Sequence, residues 1–162
     1  MDSVSNMSDN VISIAQVLRE KGIYIGPTVG TSMLPMLKNR RDTIVVKAKT
    51  ERLKPLDVAL YTRGEQYILH RVLSVTEDGY IIRGDNCYCD EIVPEDSVIG
   101  VLTEFFRKNV HYLCTDEKYL AYAEKRVKRY KTRRFFVLTY RKIVNAIKKP
   151  IKWILRWDKR RK

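Results

Sequence analysis

Residues 57–83 read DVALYTRGEQYILHRVLSVTEDGYIIR. Within them, three runs rich in Val, Ile, Leu and Tyr (Asp57–Thr62, Gln66–Thr76 and Tyr80–Arg83) are parted by Arg63-Gly64-Glu65 and Glu77-Asp78-Gly79. Short apolar runs joined through a few residues that include Gly predict consecutive β-hairpins, because Gly supplies the positive φ that tight turns need. Outward from this stretch, Thr43–Ala48 and Val98–Arg107 have the same texture, and Lys54-Pro55-Leu56 breaks the chain before Asp57. Residues 23–107 therefore read as a compact, mainly β domain with a mostly antiparallel sheet.

The flanks differ from this core. Before it, in residues 1–22, the segment 9–21 spaces Val11, Ile14, Ala15 and Leu18 by threes and fours, with Ser8 or Asp9 as N-cap and Gly22 as stop, which predicts a short amphipathic helix. After it, residues 108–162 lose the β texture: Thr115-Asp116-Glu117 opens one helical stripe, and Arg133–Lys149 forms a second that ends at Pro150. The 162 residues, 44% hydrophobic and 31% charged, suit one packed core with an appendage and exclude a large multidomain assembly. The net charge of +13 is unevenly spread: residues 1–106 hold 12 Lys+Arg against 15 Asp+Glu, while residues 107–162 hold 20 against 4. No run reaches the roughly 20 apolar residues that span a bilayer. Nor does the N-terminus have the charge order of a secretory signal, so a cytoplasmic chain, peripheral on a membrane at most, is expected. Cys87, Cys89 and Cys114 are an odd set without a framework spacing, and they read as reduced thiols.

Three stretches carry residues suited to chemistry. In Gly30-Thr31-Ser32-Met33-Leu34-Pro35, Ser32 follows Gly30 at a strand-to-turn transition and Pro35 stiffens the turn. A serine hydroxyl attacks an amide only with a base at about 2.6–3.2 Å and donors for the oxyanion; a Ser in such a turn also has the simpler use of bonding its own backbone. His70 lies mid-strand in Tyr67-Ile68-Leu69-His70-Arg71-Val72, on the face of Ile68 and Val72, where a ring is held rigidly and partly desolvated, as a general base requires. Arg83-Gly84-Asp85-Asn86 is a turn in which Asp85 reads as a turn carboxylate, and Asp90 or Glu91 beyond it can orient an imidazole. Cys-x-Cys without a second pair is poor zinc spacing, so neither metal nor cofactor is expected.

Taken in order, a Ser-Met-x-Pro box with a following Asp42, then Leu56-Asp57-Val58, His70-Arg71-Val72, Gly84-Asp85-Asn86 and Val98-Ile99-Gly100 resemble the signal peptidase I family. That family belongs to the larger group that also holds the self-cleaving LexA-like repressors. The resemblance covers about residues 28–104. It implies a twisted, barrel-like β fold with serine endopeptidase activity on a peptide or protein substrate, Ser32 as nucleophile, and His70 in the base position that bacterial members fill with Lys. It also implies a supporting acid soon after Gly-Asp-Asn. Asp90 is the first match, with Glu91 and Asp85 as alternatives, while Gly30, Pro35, Asp42 and Arg71 support the site. Members of the family are usually tethered by transmembrane segments. Here the basic tail, residues 116–162, with Phe135, Phe136, Trp153 and Trp157, suggests an anionic membrane surface as partner instead. The rivals are a self-cleaving regulator, for which the region before residue 28 is too short to hold a DNA-binding module, and an inactive basic nucleic-acid binder.

Overall fold

The computed structural model describes residues 13–158. These form two compact units that divide after Ala123. The first is mainly β, a curled antiparallel sheet with a helix before it and helical chain after it.

Helix α1 (Ile14–Lys21) is capped by Ser13, whose side chain accepts from the Gln16 N–H, and it stops at Gly22 in the left-handed region with φ 71°. The cap is thus Ser13 rather than Ser8 or Asp9, which lie outside the described residues. The strands follow as β1 (Ile23–Pro27), β2 (Thr43–Ala48), β3 (Val58–Arg63), β4 (Gln66–Val75), β5 (Gly79–Arg83), β6 (Glu91–Pro94), β7 (Val98–Arg107) and β8 (Val110–Leu113). Their order across the sheet is β1-β2-β7-β3-β4-β5-β6, with β8 paired to β7.

Strand β3 shows why residues 58–61 are continuously apolar. Val58 and Leu60 pack with Met33, Met36, Leu37, Ile44 and Phe105 on one face, and Ala59 and Tyr61 with Val72, Tyr80 and Ile82 on the other. A strand buried on both faces has no polar side to alternate with. On β4 the alternation puts neighbouring residues on opposite faces: Ile68, His70 and Val72 share the face of Tyr61, while Leu69 and Arg71 turn to the face of Met36.

The chain remains β past Lys108, contrary to the expectation of helical texture from there. Lys108 itself takes the left-handed conformation, φ 57°, and turns β7 into β8 without the glycine that announces most such turns. Helix α2 (Glu117–Lys128) follows as expected. Helix α3 (Tyr130–Asp158) runs through Pro150 instead of ending there; a proline removes one backbone bond, which a long helix can absorb.

Candidate active site

The site is assembled from three pieces of chain that the sheet brings together. Arg71 places the first. It is buried and holds Asp85 through two hydrogen bonds of 2.9 Å each, while its remaining donors reach the Leu56 carbonyl, the Tyr119 hydroxyl and Met36 Sδ. Burial alone lowers a guanidinium's pKa, yet Asp85 outweighs it and Arg71 stays charged. Asp85 is therefore the direct hydrogen-bond partner of Arg71, and it reaches His70 only through its charge.

Asn86, next to Asp85, clamps the second piece. Its N–H donates to the Ser32 carbonyl at 2.6 Å and its amide to the Thr31 carbonyl at 3.2 Å. The rest of this loop is tied down by Asp42, fully buried, which accepts from the Lys38 N–H and from Arg41. Burial raises the Asp42 carboxyl, but the hydrogen bonds from Arg41 and Lys38 prevail and hold it below the usual carboxylate range. Gly30 has φ 98° and gives its N–H to Asn39 Oδ1, and the Leu34–Pro35 bond is cis. All four support residues thus act on the loop or on the strand beside it.

Gly84 explains how the pieces meet. A Cβ on this residue would sit 2.8 Å from the Ser32 carbonyl oxygen, 2.9 Å from His70 Nε2 and 2.8 Å from Cys87 Sγ. The Ser loop and the imidazole thus meet in the space a side chain of residue 84 would fill, an approach only a residue without one allows. Ser32, half-buried, and His70, buried, both line one cleft of about 700 Å³. Among the described residues the Ser32 hydroxyl has no hydrogen-bond partner. Catalytic hydrogen bonds of this kind often tighten only when substrate is bound.

The third piece lies behind the ring. His70 Nδ1 is 3.1 Å from the Tyr61 hydroxyl and 3.6 Å from Glu91 Oε1. The Tyr61 hydroxyl donates to Glu91 Oε2 at 2.8 Å, and Arg63 reaches the same oxygen at 3.0 Å. Asp90, the first-ranked acid, is not brought to His70; it pairs with Arg83 at 2.8 Å, and half of its side chain is exposed. Neighbouring residues on an extended chain point to opposite sides, so at the start of β6 only one of Asp90 and Glu91 can face the imidazole. Glu91 is the one that does. Tyr61 escaped the sequence reading, where it is simply one more apolar residue of β3; its register, with Tyr61 opposite Ile68 and hence diagonal to His70, was the available signal.

Burial depresses the His70 pKa below the ordinary imidazole value, and the Glu91 charge only partly restores it, so the ring is neutral at pH 7. Burial pushes the Cys87 thiol up, so the sulfur beside the site stays protonated, a weaker nucleophile than its thiolate. Among the described residues no group of His, Cys, Asp or Glu is arranged to hold a metal ion.

Tyr24 and Pro27 of β1 and the Gln66–His70 segment of β4 line the cleft. Gly22 and Thr28 direct their backbone groups to β2, so by period two the groups of Ile23 and Ile25 point outward from β1. Strand β4 pairs with β3 along Gln66–Arg71 but with β5 only from Arg71 onward, which leaves the Gln66–His70 edge without a strand partner among the described residues. Tyr24, Ile44, Leu60, Tyr67 and Leu69 make the floor apolar. Comparison of the chain with protein families and with curated proteins gives no match.

Proposed function

We propose that the chain is a serine endopeptidase of the signal peptidase type. The observation that carries this reading is the meeting at Gly84 of the Ser32 backbone carbonyl and His70 Nε2, with both residues lining one cleft. Neutral His70 takes the Ser32 proton as the oxygen attacks a peptide carbonyl, and the Ser32 N–H is the nearest backbone donor for the oxyanion. His70 then protonates the leaving amine, and water, activated by the same ring, hydrolyses the acyl-enzyme. An extended peptide between the free edges of β1 and β4 would find main-chain partners on both sides. The motif order from Ser32 to Gly100, similar to that of signal peptidases, supports the same reading.

A fluorophosphonate probe, mapped by mass spectrometry, tests it. Labelling of Ser32 that disappears in His70→Ala is expected; an unlabelled Ser32, or labelling indifferent to His70, would overturn the assignment.

The second unit bears on where the enzyme works. Among the described residues no helix is long and apolar enough to cross a membrane. Yet α3 leaves Phe136, Tyr140 and Ile143, spaced by four and three, more than half exposed, with Phe135 beside them. Residues 130–158 also hold nine Lys+Arg and one acidic residue. Aromatic and aliphatic groups on a strongly basic helix suit an anionic lipid surface, where each cation contributes about 1 kcal/mol before screening. Co-sedimentation with phosphatidylglycerol vesicles should be lost when Phe135, Phe136, Tyr140 and Ile143 are all changed to Ser. Undiminished binding of that variant would rule out insertion of this helix.

A further inference from the structure

We propose that Tyr61 is a positioning residue: its hydroxyl, anchored on Glu91, accepts a hydrogen bond from His70 Nδ1–H and so leaves Nε2 as the basic nitrogen facing Ser32. The argument is a count of protons. A phenol has one hydrogen to give. Glu91 Oε2 receives both Tyr61, at 2.8 Å, and the Arg63 guanidinium, at 3.0 Å, which marks it as an ionised acceptor. Tyr61 therefore spends its hydrogen on Glu91, and only its lone pair remains for His70 Nδ1 at 3.1 Å. A contact with a lone pair requires the hydrogen to be on Nδ1.

The direct path from Glu91 to the ring is longer, 3.6 Å, and the shorter path runs through the hydroxyl. Tyr61 is 1% exposed and His70 4%, so water has little access to compete for either position. The phenol is also held protonated: burial, and then the Glu91 carboxylate, push its pKa well above the ordinary tyrosine value. The chain of donors thus runs one way, from the ring to the phenol to the carboxylate.

The inference rests on His70 as the base, but it can be measured without any turnover. Nitrogen-15 chemical shifts of the histidines, assigned with a His111→Gln variant and read where the ring is neutral, should show a protonated Nδ1 and a pyridine-like Nε2 for His70. Tyr61→Phe should shift that population toward the Nε2–H form. It should also lower kcat by roughly ten- to a hundredfold with little change in KM, less than the roughly hundred- to ten-thousandfold of removing a general base itself. An Nε2–H tautomer in the unaltered protein would overturn the proposal whatever the variant does, and so would an unchanged tautomer and kcat in Tyr61→Phe. A protein that cleaves nothing but shows the expected tautomer would refute the endopeptidase reading alone.

Discussion

His70 and Arg71 are neighbours on β4, and the two sides of that strand treat charge in opposite ways. On the Arg71 side every nitrogen of a buried guanidinium is occupied, by Asp85, Leu56, Tyr119 and Met36. On the His70 side Nδ1 is engaged, while Nε2 lies beside Gly84 on a residue that lines the cleft. A saturated network fixes geometry, because removing any partner leaves a buried group unpaired. A network with one open end can exchange a proton. The difference teaches which acid does what: Asp85 belongs to the closed network and Glu91 to the open one, although the two flank the same short loop between β5 and β6.

The contrast breaks most visibly at Asp85. Asp85→Ala strands the Arg71 charge and should cost about 3–5 kcal/mol in denaturant unfolding. The double variant Arg71→Met with Asp85→Leu, which removes both charges, should recover most of that loss. If the single change proved neutral, the network would not be structural.

Gly84→Ala comes next. The added methyl meets the Ser32 carbonyl and the His70 ring at under 3 Å, so the two must separate. A misplacement of about 1 Å can lower activity roughly a hundredfold. Peptide cleavage should fall by that order, with an overpacking cost of only about 1–3 kcal/mol in stability. Unaltered cleavage would mean that the approach at Gly84 does not matter to the chemistry.

Glu91→Gln sharpens the comparison with the smallest change. Glutamine can still accept from Tyr61, so the direction of the donor chain survives while the charge is lost. That charge raises the His70 pKa, and its removal must lower it further. In the proposed mechanism activity needs the neutral ring and would fail as pH drops through this pKa. The acid limb of the kcat/KM profile, already below the ordinary histidine value of about 6.5, should therefore move to lower pH. A shift upward would contradict the assigned role of Glu91.

Much of the sheet was legible because its hairpins carry glycine and its strands carry Val, Ile and Tyr. Strands β1 and β6 were missed because they are only five and four residues long and hold Gly26, Pro27 and Pro94, residues that favour edges and ends over strand interiors. Ser32 and His70 stood out as residues whose side chains do chemistry. The choice between Asp90 and Glu91 could not be made from spacing, since one residue of register reverses which carboxylate points inward. Tyr61 was hidden for a different reason: in sequence a tyrosine on a buried strand looks like core, and only the diagonal contact with His70 gives its hydroxyl a task.

Strand β4 changes partners at Arg71, one residue beyond His70. Up to that residue its second edge has no strand partner among the described residues, and after it the edge is zipped to β5. If the open length is where substrate lies, recognition there is written in amide and carbonyl groups that every polypeptide shares. The grip would be indifferent to side chains, and selectivity would fall to the shape of the floor beneath Leu60 and Leu69. A peptide methylated on its backbone nitrogens would then lose its hold while keeping every side chain that a specificity screen examines.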